Sequence, residues 1–396
     1  MVYIGRFRIP WSGFEAGARF FNDLFSEHPS VRLTIQDRDL VAKCFRQFAK
    51  IEGFSRLREY GPKTSLEARM YNSMLQKATD PRDHIYGILA ISDIEQELLA
   101  PDYSLSVQQV FTKTTAALLA FYSPTFYCIY PLRCGLKDVP KRMAKTPDLP
   151  SWVPDLAACA TSGMYETQES TYWAPTLLLQ IPDIAPILRP FVERLEHPCI
   201  AKFSEDFKTM FAIGNALGTI TWASVSDLFV GPGAARRLHN SYHTSVKKQG
   251  FTPALFLQVI HDYRRIFLQP SDKQYFIDFL ESDSVPDDFD PDYTAIMENI
   301  LGSASARTLF VTDNGKFGRS YNSGQDGIRA GDVLVGLFGN NFPFILRPIG
   351  SEKYEMINVA YVLDHQWGEL HPAIDNSEYD SWSDLEKFGF REYEIL

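Results

Sequence analysis

Apolar residues recur at helical spacing over the first third of the chain and gather into short β-rich runs over the last third. Phe14, Ala18, Phe21 and Leu24 predict a helix over Gly13 to Phe25, with further helices over Leu40 to Phe48 and Ser65 to Ala78. Another runs from Pro81 to about Leu99, where Pro101 closes it. Val107, Val110, Phe111, Thr114, Leu118 and Phe121 then make one stripe, which reads as core packing. Ser106 with Gln109 three residues on forms a capping-box pattern ahead of it. Pro140, Pro147, Pro150, Pro154 and Pro175 break every period between them. A hairpin is predicted next, with Met210 to Ile213 and Thr219 to Trp222 flanking the turn cluster Gly214 to Gly218. Residues 225 to 300 return to helix. Thr308 to Thr312, Asp332 to Phe338, Phe344 to Arg347 and Tyr354 to Leu363 are strand-like and separated by Gly/Asn clusters.

These elements predict an α+β fold: a helical N-terminal part, then a mixed region ending in a small antiparallel β-barrel or meander. The expected divisions are a helical part over 1–136, a proline-rich linker over 137–175 and an α+β domain over 176–370. That domain carries a helical insertion at about 225–300, and an acidic tail over 371–396 packs only in part.

The segment ATDPRDHIYGILAI at 78–91 is the most heavily punctuated. Asp80 suits an N-cap, Pro81 the first helical position, and Asp83 the negative charge of a first turn. Capping leaves Arg82 without a role.

Composition narrows the function. With 396 residues, 45% of them hydrophobic and 14% aromatic, the chain can bury a large core. A net charge of −10 argues against a general binder of nucleic acid or anionic membrane. Cys44, Cys128, Cys134, Cys159 and Cys199 are odd in number and form no CxxC pair, which fits a reducing compartment. Ala116 to Leu132, the most apolar long window, is too short and too interrupted to span a bilayer. The expected location is cytoplasmic.

No local pattern predicts catalysis. His239 and His243 in HNSYH share a helical face, but Asn240 stands where a zincin needs Glu, and the pair reads as surface residues. There is no GxxxxGK[ST] loop and no GxSxG elbow. No cofactor, metal or catalytic residue is assigned.

Taken in order, ATDPRDHIYGILAI, PDYSLSVQQVF, LPSWVPDL, RAGDVLVGLFGNNFPFILRP and YEMINVAYVLDHQWGEL resemble motifs of the heterokaryon-incompatibility (HET) family of filamentous fungi. ATDPRDHIYGILAI followed by PDYSLSVQQVF is similar to the family's "TDPRD-x-x-Y-x-x-L" helix and "PDY-S" turn, through Asp80, Pro81, Arg82, Asp83, Tyr86, Pro101, Asp102 and Tyr103. LPSWVPDL resembles "PSWVPDW" through Trp152, Pro154 and Asp155, with Leu156 in place of the usual Trp. RAGDVLVGLFGNNFPFILRP and YEMINVAYVLDHQWGEL resemble the C-terminal block through Gly331, Asp332, Pro343, Leu346, Arg347, Pro348, Tyr361, Gly368 and Glu369. These positions are expected to be structural: Gly331-Asp332 as a turn into a strand, Arg347 as a sheet closure bonding loop carbonyls or the acidic tail. Arg82 is expected to bridge to the Asp102 carboxylate. The family's "SY-x-WG" strand and "WIDA-x-CINQ" segment are not found, so by resemblance residues 1–136 are the C-terminal remnant of a HET domain. The resemblance implies non-catalytic non-self recognition and incompatibility cell death through protein partners, among them other HET-type proteins. Its alternatives are a Toll/interleukin-receptor-like, NAD-cleaving enzyme whose catalytic half is missing, and a nonfunctional truncated product.

Overall fold

The computed structural model describes residues 2–4, 7–9, 66, 70, 78–89, 99–119, 146–157, 201–224, 233–260, 270–283, 307–321, 327–337, 343–362, 386 and 389–396. The helices expected over 13–25 and 40–48 lie outside them, as do Gly368, Glu369 and all five cysteines; of 65–78 only Leu66, Met70 and Ala78 are described.

Among the described residues the elements are β1 (Val2–Ile4), β2 (Phe7–Ile9), α1 (Asp83–Leu89), α2 (Val107–Ala117), β3 (Ala201–Phe203), β4 (Met210–Ala223), α3 (Ala234–Ser241), α4 (Pro253–Ile260), α5 (Pro270–Glu281), β5 (Arg307–Thr312), β6 (Phe317–Tyr321), β7 (Val333–Leu337), β8 (Phe344–Pro348), β9 (Lys353–Val362) and β10 (Phe390–Ile395). Helices and a largely antiparallel sheet make this an α+β fold. The capping box forms as its residues predict: Ser106 Oγ accepts from Gln109 N, and the Gln109 side chain accepts from Ser106 N.

The 210–222 hairpin does not form. Met210 to Ala223 is one strand, and Gly214 to Gly218 is its interior, paired with β7 through Gly214↔Leu337 and Thr219↔Val333. Close approach explains the glycine at 214, where a Cβ would lie 2.9 Å from the Gly336 carbonyl. Gly218 (φ 147°) marks a register shift rather than a turn. Buried positions run 210, 212, 214 before that shift and 217, 220 after it, so the strand changes which face it turns inward.

Pairing runs β4–β5–β6–β9–β8–β7 and returns to β4, a closed circuit of six strands. Alternate residues divide between its two faces. Leu217, Ile220, Phe310, Leu334, Ile345 and Ile357 belong to one cluster. Val335, Leu337, Phe344 and Leu346 share a second cluster with Ile85, Leu89, Val110, Phe111 and Trp152. Leu309, Val311 and Phe317 pack in a third against Leu238, Phe256, Leu257 and Phe276 of the helices α3 to α5.

Contacts cross two of the expected divisions. The N-terminal helices and the sheet share one core, and Trp152, from the supposed linker, is fully buried in it. The end of the supposed acidic tail is β10, antiparallel to β4 and parallel to β9 at Glu394↔Lys353. Its acidic residues obscure an apolar set, Phe390, Tyr393 and Ile395, that is buried while Arg391 and Glu392 are exposed.

Candidate functional site

The first group of motif residues lies where α1 meets the turn before α2. Asp80 accepts from the Arg82 backbone N–H at 3.0 Å, as an N-cap does. Its carboxylate also takes the Arg82 side chain in bidentate fashion, with Nε at 3.0 Å and Nη2 at 2.6 Å. Arg82 Nη1 then reaches across the interface to the carbonyls of Tyr103 (2.7 Å) and Leu105 (2.8 Å). Arg82 therefore does join the two segments, but not through the Asp102 carboxylate. That carboxylate accepts from Ser104 N (2.9 Å) and Ser104 Oγ (2.6 Å), closing its own turn.

Two tyrosines complete the clamp. Tyr86 Oη donates to the Asp102 carbonyl at 3.0 Å, and Tyr103 Oη donates to the Asp83 carboxylate at 2.6 Å. The rings meet edge to face at 5.0 Å, with the Arg82 guanidinium 5.2 Å from the Tyr103 centroid. Electrostatics follow the contacts. Arg82 holds the Asp80 carboxyl below its ordinary value, Ser104 does the same for Asp102, and the bond to Asp83 raises the Tyr103 phenol. Tyr103 nevertheless remains 54% exposed.

The second group is the PSWVPD turn. Trp152 and Pro154 are buried, and the Trp152 indole donates to the Lys208 carbonyl at 3.4 Å. Asp155 accepts from Thr146 N at 2.7 Å and Thr146 Oγ1 at 3.1 Å. Ser151 N and Oγ both donate to the Leu396 carbonyl oxygen, tying this turn to the end of β10.

Third, the glycine-aspartate and arginine motifs meet. Asp332 accepts Arg347 Nε at 2.9 Å and Nη2 at 3.0 Å, and the Arg329 backbone N–H at 2.9 Å. Arg347 Nη2 also donates to the Gly327 carbonyl, so the loop-carbonyl half of its expected role is present and its ionic partner is Asp332. Gly331 (φ 93°) makes the turn into β7, and its N–H donates to the Ile220 carbonyl. Leu346 is buried on β8, Pro348 pairs with Tyr354, and the Pro343 carbonyl accepts from Ala360 N.

Sequence reasoning missed Arg319. This buried side chain on β6 donates from Nη1 to the Val259 carbonyl in the last turn of α4 (2.7 Å) and lies 4.7 Å from the Tyr361 ring centroid. A cation at a helix C-terminus meets its negative end. The histidine pair was read as surface, yet His239 is 5% exposed and its ring centroid lies 4.4 Å from that of His243. An i, i+4 spacing cannot show that a second helix lies over it.

No family model matches the chain, and searches of curated proteins and of solved structures returned no match. Among the described residues no helix is long and apolar enough to cross a membrane.

Proposed function

We propose that this chain is a fungal heterokaryon-incompatibility-type protein that acts non-catalytically, by protein contact, in non-self recognition and the cell death that follows. The closed circuit of strands is, in this reading, a small barrel that carries the N-terminal helices as an interaction module. One observation carries the contact reading. Tyr103 is 54% exposed although its hydroxyl, ring and carbonyl are each engaged, by Asp83, Tyr86 and Arg82. An exposed aromatic beside an arginine, held before any partner arrives, is the kind of anchor that dominates protein interfaces because little side-chain freedom is lost on binding. Asp80, Arg82, Asp332 and Arg347 meanwhile engage one another and nearby backbone groups, which suits bracing rather than chemistry.

Inducible expression of the full chain in a filamentous fungus tests this. Growth arrest and cell death are expected from the wild type and are lost in Tyr103→Ser, a variant that gives up the Asp83, Tyr86 and Arg82 contacts and whose melt must show that it still folds. Absence of any growth effect, or an unchanged effect in the folded variant, overturns the contact reading. Consumption of NAD by the purified chain would transfer the proposal to the enzyme alternative.

A further inference from the structure

We infer that His239 and His243 form a two-imidazole site for a borderline divalent ion such as Zn²⁺, Ni²⁺ or Cu²⁺, ligated through Nδ1. His239 Nε2 lies 2.9 Å from the Ser282 carbonyl and His243 Nε2 lies 2.8 Å from the Leu280 carbonyl. A carbonyl only accepts, so both Nε2 atoms carry hydrogen and each neutral ring keeps its lone pair on Nδ1. Ser282 Oγ also lies 3.5 Å from His239 Nε2, and neither Nδ1 has a hydrogen-bond partner among the described residues. This is the outer-shell pattern of metal-ligating histidines, in which the non-ligating N–H is fixed by a carbonyl and the tautomer is thereby set.

Geometry and field agree with that chemistry. Two nitrogens about 2.0–2.1 Å from a tetrahedral ion stand about 3.3 Å apart. Rings with centroids 4.4 Å apart and tilted by 38° can meet that spacing. Immediately after α3 the helix widens into a π-helical turn, Tyr242–Val246, which contains His243; such turns collect at functional sites. The carbonyls that hold the rings come from the C-terminal end of α5, whose partial negative charge favours a nearby cation. Phe279 packs edge to face on His239 and Tyr242 on His243, each with ring centroids 5.4 Å apart, supplying an aromatic surround. Imidazole nitrogen selects Zn, Ni and Cu over Mg and Ca. Among the described residues no third His, Cys, Asp or Glu joins the pair.

Calorimetric titration of the tag-free full chain with Zn²⁺ and with Ni²⁺ tests this. His239→Gln and His243→Gln keep an N–H donor for the carbonyls and remove the imidazole ligand. One bound ion per wild-type chain is expected, with that binding lost in each variant. A measurement that needs no variant uses the tryptic peptide Leu238 to Lys247, which contains these two histidines and no other. Added Zn²⁺ should suppress its carbethoxylation in the native protein while the peptides of the other histidines react as before. Folded variants that bind like the wild type, or a wild type that neither binds nor is protected, would overturn the site.

Discussion

The Asp332–Arg347 pair offers the sharpest test of the closed strand circuit. Both side chains are almost wholly removed from solvent, at 1% and 7% exposure. Asp332→Leu strips a buried guanidinium of both ionic bonds and leaves the Arg329 N–H without its acceptor. Removing one partner of a buried pair costs about 3–5 kcal/mol, because the remaining charge is desolvated and uncompensated. Arg347→Met strands the carboxylate with one backbone donor, at a cost of the same order. If independent, the two losses would sum to roughly 6–10 kcal/mol. The double variant Asp332→Leu/Arg347→Met leaves no charge at the pair, and the Arg329 N–H and Gly327 carbonyl lose partners, at about 1 kcal/mol each. It should therefore fall well short of the sum, giving a coupling above about 2 kcal/mol. Urea unfolding of the four proteins reads this as midpoint shifts at constant slope. Single variants within about 1 kcal/mol of wild type, or a double variant equal to the sum, would refute the reasoning.

Three further expectations bear on other parts of the fold. Arg82→Lys cannot keep the bidentate bond to Asp80 together with both turn carbonyls, so it should lower the urea midpoint, while Asp102→Asn keeps its acceptor for Ser104 and should not; equal shifts would restore an Arg82–Asp102 bridge. Gly318→Ala places a Cβ 2.4 Å from Phe310 Cζ and 2.5 Å from the Tyr361 carbonyl, so a loss of about 1–3 kcal/mol is expected, and an unchanged melt would contradict the β5–β6–β9 packing. Burial holds the His84 imidazole below its ordinary value of 6.5 against the opposing pull of Asp83 and Asp155. The unfolded chain thus takes up its proton first, so stability falls as pH is lowered through the ordinary histidine range; His84→Leu should flatten that limb, and an unaltered slope would assign it elsewhere.

Residues close in sequence determined a good deal on their own. The turn at Asp80-Pro81 that leads into α1, the capping box of α2 and strands β5, β7, β8 and β9 are all legible in the chain, because caps and alternating apolar positions act within a few residues. The tertiary structure decided the rest. Gly-Asn-Ala-Leu-Gly has turn chemistry, and only β10 and β7 on either side of it make it a strand interior. Glu392 and Glu394 look like part of a solvated tail until Phe390, Tyr393 and Ile395 are given a core to enter. Trp152 reads as part of a linker until the sheet and the N-terminal helices close over it. Arg82 and Arg347 show the same division: the motifs named residues that carry charge, but their partners lie as far as 23 and 20 positions away, and only folding brings those groups within hydrogen-bond reach. Local pattern sets what a segment can become, and long-range pairing selects among those outcomes because burial and ladder bonds outweigh weak local preference.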